Sequence, residues 1–325
     1  MLRAVGVLAL GCTAIAAGPV PAWSQESSLP AAMQPLPTYW SDSPLDLSDE
    51  PVEFFVTDQQ PSSPVYAPSI GGDPWAWQLL PQGLVYRSYL AGEKESRFRS
   101  VWAHDQDLGW IWDITLGGRV GILRYGSMGN SRPVGWQLDI EGAGMPRLDL
   151  EEDNDLVAAD FRFGIPLTYG NDYYQVKLAY YHLSSHLGDE FLLDNTGFPR
   201  LNYSRDVLVW GHSVYMYENL RLYAEAGWAL SSDVSEPWEF QFGVDYSPAC
   251  PTGLRGAPFV ALNGALREEV DFGGNVVVQA GWAWRGSSEG GLFRTGFQYY
   301  QGKSDQFSFF DFNESKAGIG IWYDY

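Results

Sequence analysis

The chain has 325 residues, a net charge of −20, and 14 Trp, 19 Tyr and 36 Gly. Acidic residues outnumber basic ones two to one (40 against 20), so no basic footprint for nucleic acid exists and nucleic acid is excluded as a partner. No stretch approaches the roughly 18 apolar residues of a membrane-spanning helix. Mean hydropathy is only −0.20. That value does not separate a soluble protein from a membrane barrel, where every second strand residue faces a polar interior.

The first residues read as a secretory leader. Arg3 supplies a positive start, Ala4 to Ala17 an apolar run, and Ala22-Trp23-Ser24 a small-x-small cleavage site, so the expected mature chain begins at Gln25. Ala9-Leu10-Gly11-Cys12 is a loose lipoprotein-type box with a short apolar run before it, and ordinary cleavage is the preferred reading. Cleavage leaves Cys250 as the only cysteine, between two prolines in an expected turn, where it is a bystander. Residues 25–74 are rich in Pro and Ser and carry acidic residues but no Lys or Arg. This composition suits a disordered or extended linker, in which Tyr39-Trp40 and Phe54-Phe55 are the segments able to dock.

From residue 75 to 325 the texture changes to alternating runs punctuated by Gly, Asn, Asp and Pro. Trp136, Leu138 and Ile140 oppose Gln137, Asp139 and Glu141. Trp238, Phe240, Phe242 and Val244 oppose Glu239, Gln241, Gly243 and Asp245, and Val276, Val278, Ala280, Trp282 and Trp284 oppose Gln279, Gly281 and Arg285. Period-two patterning puts each set on one face of a strand. The apolar set is nearly free of charge, as a lipid-facing wall requires. The fold class is therefore all-β: a transmembrane antiparallel barrel without spanning helices. Expected strands lie near 82–91, 108–125, 133–144, 155–168, 173–185, 202–216, 219–231, 237–247, 256–268, 274–287, 291–302 and 315–325. That makes about twelve, with ten or fourteen as the alternatives. Fourteen results if Gly117-Gly118 is a turn and 97–104 is a strand; one long strand kinked at the glycines is preferred.

Links 169–172, 217–219 and 286–290 are short and fall at one end, while 145–154, 186–201 and 303–314 are longer and fall at the other. Short periplasmic turns and long external loops are the expected asymmetry. The inward set carries both signs: Asp113, Asp139, Glu141, Asp160, Glu225, Glu239 and Asp245 against Arg119, Arg162, Lys177, Arg221, Arg267 and Arg285. A small barrel with such an interior should fill its lumen with ion pairs. Acidic runs such as Asp149 to Asp155 read as solvated loops, or as binders of divalent cations that bridge anionic lipid heads; no EF-hand spacing is present. A lipocalin-like or sandwich protein would bury the apolar set instead, which the size of the Trp and Phe set and the last strand oppose.

The chain ends Ile319, Ile321, Tyr323, Tyr325 at alternate positions. This resembles the assembly signal of Gram-negative outer-membrane barrels, which implies an outer-membrane location and recognition of the last strand by the barrel-assembly machinery. The stretch from Trp75 to Tyr325 also resembles a family of uncharacterised outer-membrane barrels of planctomycetes. The resemblance rests on Gln137 to Gly142, Tyr181 to Glu190, and Ala257 with Arg267 to Asn275. It implies a fold and a location, but no activity.

Chemistry concentrates in the second of those runs. His182 and Ser184 are two residues apart, so on a strand they share the face of Val176, Leu178 and Tyr180 and point toward lipid, near the outer end. A serine hydrolase needs a base within reach of the hydroxyl and a third group behind the base. The arrangement resembles outer-membrane phospholipase A, a twelve-stranded barrel with a lipid-facing His-x-Ser pair and an Asn at the start of the next strand. The resemblance implies His182 as base, Ser184 as nucleophile and Asn202 as orienter. It departs from that family in the Ser185-His186 that follows the serine and in the longer loop before Asn202. Lipid A deacylases, also similar, use a Glu as third member, which here would be Glu190 or Asp189. Calcium assists the phospholipase family, and by that resemblance Asp189, Glu190 and Asp194 are its candidate ligands. His182 and His186 share a face, but no spacing supplies a third metal ligand. The expected partners are membrane lipids and lipopolysaccharide. The other function class is a non-catalytic barrel: a narrow channel, or an anchor presenting its loops, with His182, Ser184 and His186 hydrogen-bonding in the headgroup zone.

Overall fold

A computed structural model describes residues 75–127 and 132–325. The expected leader, residues 1–24, and the whole of the expected linker, residues 25–74, lie outside the described residues. In chain order the strands are β1 Ala76–Leu79, β2 Phe98–Asp105, β3 Gly109–Gly126, β4 Gly135–Asp149, β5 Asp155–Gly170, β6 Tyr174–Leu187, β7 Tyr203–Tyr217, β8 Leu220–Ser232, β9 Trp238–Tyr246, β10 Ala257–Arg267, β11 Gly273–Arg285, β12 Leu292–Lys303 and β13 Asn313–Asp324. One short helix, α1 Asp189–Asp194, lies in the β6–β7 link.

Every strand from β2 to β13 pairs antiparallel with its sequence neighbours, and β13 pairs with β2 through Tyr323↔Phe98 to Lys316↔Asp105. Twelve strands thus close into a barrel, and closure removes the unpaired edges that lipid cannot satisfy. β1 is an addition: it pairs with the Gly126 end of β3, beyond the shorter β2. The barrel has two distinct ends. Trp75 and the end of β13 lie at one, called here the terminal end; the links between β4 and β5, β6 and β7, and β12 and β13 lie at the other, the loop end.

The alternation is realised as wall and lumen. Trp136, Trp210, Phe297 and Ile319 are exposed on the outside, while Gln137, Arg205, Gln298 and Arg294 are buried inside. Aromatic rings stack across strands near both ends of the wall: Trp102 on Trp112 (5.6 Å) and Trp228 on Trp238 (6.3 Å) toward the loop end, Trp136 against Tyr169 (4.9 Å) toward the terminal end. Such double girdles mark the two interfaces of a membrane barrel.

β3 runs unbroken through Gly117-Gly118, as preferred from the sequence, and pairs continuously with β4 there. The glycine is required: a Cβ on Gly117 would lie 2.3 Å from the Gly142 carbonyl oxygen. The parity does shift later, at a bulge between Gly121 and Leu123, so Ile122 leaves the outward set.

Two expectations need correction. Residues 82–91 form no strand. Together with the residues up to Arg97 they run inside the barrel, where Leu84, Val85, Tyr86, Tyr89, Leu90 and Ala91 are all buried. The strand that keeps the count at twelve is β2, close to the 97–104 segment that entered only the fourteen-strand alternative. The interior run is held from several sides. Arg124 and Arg221 donate to the Gln82, Gly83, Arg87 and Ser88 carbonyls. Tyr89 stacks on Tyr223 at 3.8 Å and donates to Glu225 at 2.7 Å. Lys94 reaches Asp160 at 2.5 Å.

The lumen is otherwise filled with ion pairs, as its mixed charges implied. Arg119–Asp139 (2.5 Å), Arg162–Glu141 (3.1 Å), Lys177–Glu225 (2.6 Å) and Arg221–Asp245 (2.5 Å) all join inward residues. The densest knot centres on Arg147, which contacts Asp113, Asp305 and Glu314 within 2.8 Å. Asp305 belongs to the β12–β13 link, which folds inward rather than out. Ser304 to Ser308 are buried, Phe307 stacks on Tyr203 (4.9 Å) and Ser308 bonds Ser185 (2.7 Å). The lumen is therefore occupied from the terminal end by residues 84–97 and from the loop end by residues 304–308.

Candidate active site on the outer wall

In β6 the odd residues Ala179, Tyr181, Leu183 and Ser185 are buried, so the even ones, Tyr180, His182, Ser184 and His186, face outward. In β7 the odd residues Tyr203, Arg205, Val207 and Val209 are buried, which turns Ser204, Asp206, Leu208 and Trp210 outward. The β6–β7 register pairs His182 with Asp206 and Ser184 with Ser204. On the other flank β5 sets Phe163 beside His182 and Phe161 beside Ser184. An apolar shelf thus borders the His-x-Ser pair on one side, and a carboxylate and a hydroxyl on the other.

His182 Nδ1 lies 2.9 Å from Asp206 Oδ1, and the Tyr180 hydroxyl donates to the same oxygen at 2.6 Å. An imidazole that gives its Nδ1 proton to a carboxylate keeps Nε2 as a free acceptor, which is the state a general base needs. Ser184 Oγ makes no hydrogen bond among the described residues. As residues i and i+2 of one strand face, the two side chains stand on neighbouring pleats of the same wall. Asp206 was absent from the sequence-derived site. Its signal was available: it is a carboxylate on the outward parity of a strand whose neighbours there include Leu208 and Trp210, and charge on a lipid-facing row needs a reason.

The other sequence-derived residues are placed as follows. Asn202 precedes β7, four residues above Asp206, a separation of roughly 13 Å along an extended chain. Its Nδ2 donates to Asp233 Oδ2 in the β8–β9 link at 2.6 Å. Asp189 and Glu190 open α1 and are exposed. Asp194 closes α1, and one of its carboxylate oxygens lies within 4.8 Å of those offered by Glu152 and Asp155 from the β4–β5 hairpin. The structure therefore gathers Asp194 with Glu152 and Asp155, not with Asp189 and Glu190, into the one potential cation-holding group found among the described residues. His186 is exposed, with its ring 6.0 Å from Phe161.

Among solved structures, outer membrane phospholipase A of Escherichia coli is similar at 12% identity and a TM-score of 0.47, covering 70% of this chain and 89% of that one. The calcium-bound dimer of the outer membrane phospholipase of Salmonella typhi gives 12% identity and a TM-score of 0.48, over 70% and 90%. The KdgM porin gives 8% identity and a TM-score of 0.39, over 70% and 98%. These likenesses concern the barrel and assign no role to any residue. No curated protein matches the sequence. One family does match, over residues 69–325, and the chain belongs to it: the family described as protein of unknown function (DUF1207).

Proposed function

We propose that this protein is an outer-membrane lipid acyl-ester hydrolase that works from its outer wall, with Ser184 as nucleophile, His182 as base and Asp206 as the residue that positions the base. The observation that carries the reading is the 2.9 Å contact of His182 with Asp206 on the lipid-facing parity of adjacent strands, beside Ser184. His182 Nε2 accepts the Ser184 proton as Oγ attacks the acyl carbonyl. The imidazolium, stabilised by Asp206, returns that proton to the departing alcohol, and water then releases the fatty acid from the acyl-enzyme. Acyl chains lie along Phe161 and Phe163, and the headgroup lies toward the loop end. In this reading the loop end faces outside, the terminal end faces the periplasm, and the last strand is what the assembly machinery reads. Calcium held at the rim by Asp194 and its neighbours, with Asp189 and Glu190 near by on α1, would bridge anionic headgroups.

The test is fatty-acid release from mixed phospholipid–detergent micelles by the purified full chain, with and without a chelator, against Ser184→Ala. Labelling of Ser184 by a serine-directed phosphonate is the parallel measurement. Release that Ser184→Ala leaves unchanged, or no labelling and no release, overturns the reading. A second reading is a non-catalytic barrel that anchors its loops in the envelope. The observation in its favour is that Ser184 Oγ is not bonded to His182, while Tyr180, His182 and Asp206 already form a self-contained interfacial network.

A further inference from the structure

At the terminal end not every cation inside the barrel is paired with a carboxylate. Arg87 of the interior run, Arg132 of the β3–β4 link and Arg285 at the end of β11 have no carboxylate within 4.0 Å among the described residues, the chain-terminal one included. They are held by backbone carbonyls instead. Arg87 donates to Ser288 at 2.8 Å, and Arg285 to Pro248 at 2.9 Å and Gly290 at 2.7 Å. Arg132 donates to Asp172 at 2.9 Å and to Glu218, and lies 3.7 Å over the Tyr215 ring. The two carboxylates buried close by are already committed: Asp245 to Arg221 at 2.5 Å, Asp324 to Arg294 at 2.7 Å and to Arg97 at 2.6 Å.

Arg132 and Arg285 are themselves almost fully buried. Carbonyl oxygens fix a guanidinium in place without neutralising it, so these cations retain charge to offer. That is unexpected in a chain with net charge −20, where carboxylates to pair them are plentiful. A cavity of about 30 Å³ lies between Arg87 and Arg285. Tyr215, Arg221, Glu218, Asp245 and Asp324 also line it, and Arg132 stands beside it, over the Tyr215 ring. A water needs about 10–15 Å³ on this measure, so the space suits one small charged group and no sugar or ring.

We propose that Arg87, Arg132 and Arg285 form an anion-binding site at the terminal end of the lumen that takes a single carboxylate or phosphate group. The ligand is a free anion of that class, with inorganic phosphate as its probe. The site is independent of Ser184 and of any hydrolysis.

The experiment titrates inorganic phosphate into the purified full chain at constant ionic strength and follows the thermal unfolding midpoint. It is repeated on Arg132→Gln, whose side chain lies in a link rather than a strand. A saturable rise in the midpoint that chloride does not reproduce, with affinity weakened at least tenfold in Arg132→Gln, is the expected result. Absence of a phosphate response in the natural chain, or an equal response in Arg132→Gln, overturns the proposal.

Discussion

Replacing Arg147 by Met tests whether the lumen is held by its ion network. Arg147 is fully buried and bonds Asp113 (2.6 Å), Asp305 (2.8 Å) and Glu314 (2.6 Å). Lys316 touches the same three carboxylates, at 3.1, 2.6 and 2.7 Å, and Arg99 holds Glu93 at 2.6 Å. The knot therefore sets Arg147, Lys316 and Arg99 against four carboxylates, and the substitution leaves two cations. Breaking a buried pair by removing one partner costs about 3–5 kcal/mol. Three such pairs are lost, but the costs do not add, because a stranded carboxyl takes up a proton before its full desolvation penalty is reached. The expected loss is therefore about 3–5 kcal/mol in total, or roughly a hundredfold to several thousandfold in the folding equilibrium. Urea-dependent folding into detergent micelles, followed by the gel mobility of the folded barrel, measures it. Adding Asp305→Asn and Glu314→Gln to Arg147→Met should recover part of the loss by removing the stranded charge. The control is Lys303→Met, whose partner Asp311 is exposed, an ion pair of the kind worth about 0–1 kcal/mol. A loss under about 1 kcal/mol in Arg147→Met would mean that water, not protein, solvates these carboxylates, and the account of a filled lumen would fail.

Three further outcomes follow from the same geometry. Reconstituted in a planar bilayer, the full chain should carry no steady ion current, and Tyr86→Ala with Tyr89→Ala, which removes the Tyr89–Tyr223 stack, should introduce intermittent openings; a steady current in the unchanged chain refutes the filled lumen. In the micellar lipid assay Asp206→Asn should cut hydrolysis by about 10²–10⁴, while Asn202→Ala, which loses only its bond to Asp233, should change it less than about threefold. Gly117→Val should destabilise the barrel by about 1–3 kcal/mol in the urea titration, because its Cβ would meet the Gly142 carbonyl.

The wall was legible in the sequence because lipid enforces the alternation: nothing but parity decides whether Trp136 or Gln137 meets hydrocarbon. The interior was less legible, for a physical reason. Residues 82–91 contain enough apolar side chains to pass for a strand, yet Leu84, Val85 and Tyr86 are buried in succession because the barrel surrounds them on every side. The true strand, β2, is disguised by the same packing. Its inward Val101 and Ala103 join Leu90, Ala91 and Trp322 in an apolar cluster within the lumen, while polar His104 faces out. A plug that brings its own apolar face reverses the polarity rule for the strands it touches. At the candidate site, parity correctly put His182 and Ser184 on the wall. It could not put Asp206 beside His182, because that depends on the β6–β7 register, which the length and folding of the α1 link decide. Choosing Asn202 assumed that the next strand begins level with His182; it begins above it.

The filled lumen also bears on how a substrate could arrive. With residues 84–97 and 304–308 inside the barrel, a lipid has no route through it and must come to Ser184 sideways, along the wall. Phe161 and Phe163, both about half exposed and directly beside Ser184 and His182, are then the surface an acyl chain meets first. Hydrolysis should accordingly depend on how the ester is presented. A short-chain ester dissolved below its critical micelle concentration lacks the apolar length to lie on that shelf, and should be cleaved at least about tenfold more slowly than the same ester above it. Phe161→Ala removes roughly 1.5–3 kcal/mol of apolar contact if that ring is fully covered by the chain, and less for an exposed ring, so a loss of up to about tenfold is expected for micellar ester. For dissolved ester the loss should be close to nothing. Equal rates on dissolved and micellar ester, or an equal effect of Phe161→Ala on both, would mean that the substrate does not reach Ser184 from the membrane, and the wall would lose its claim to the chemistry.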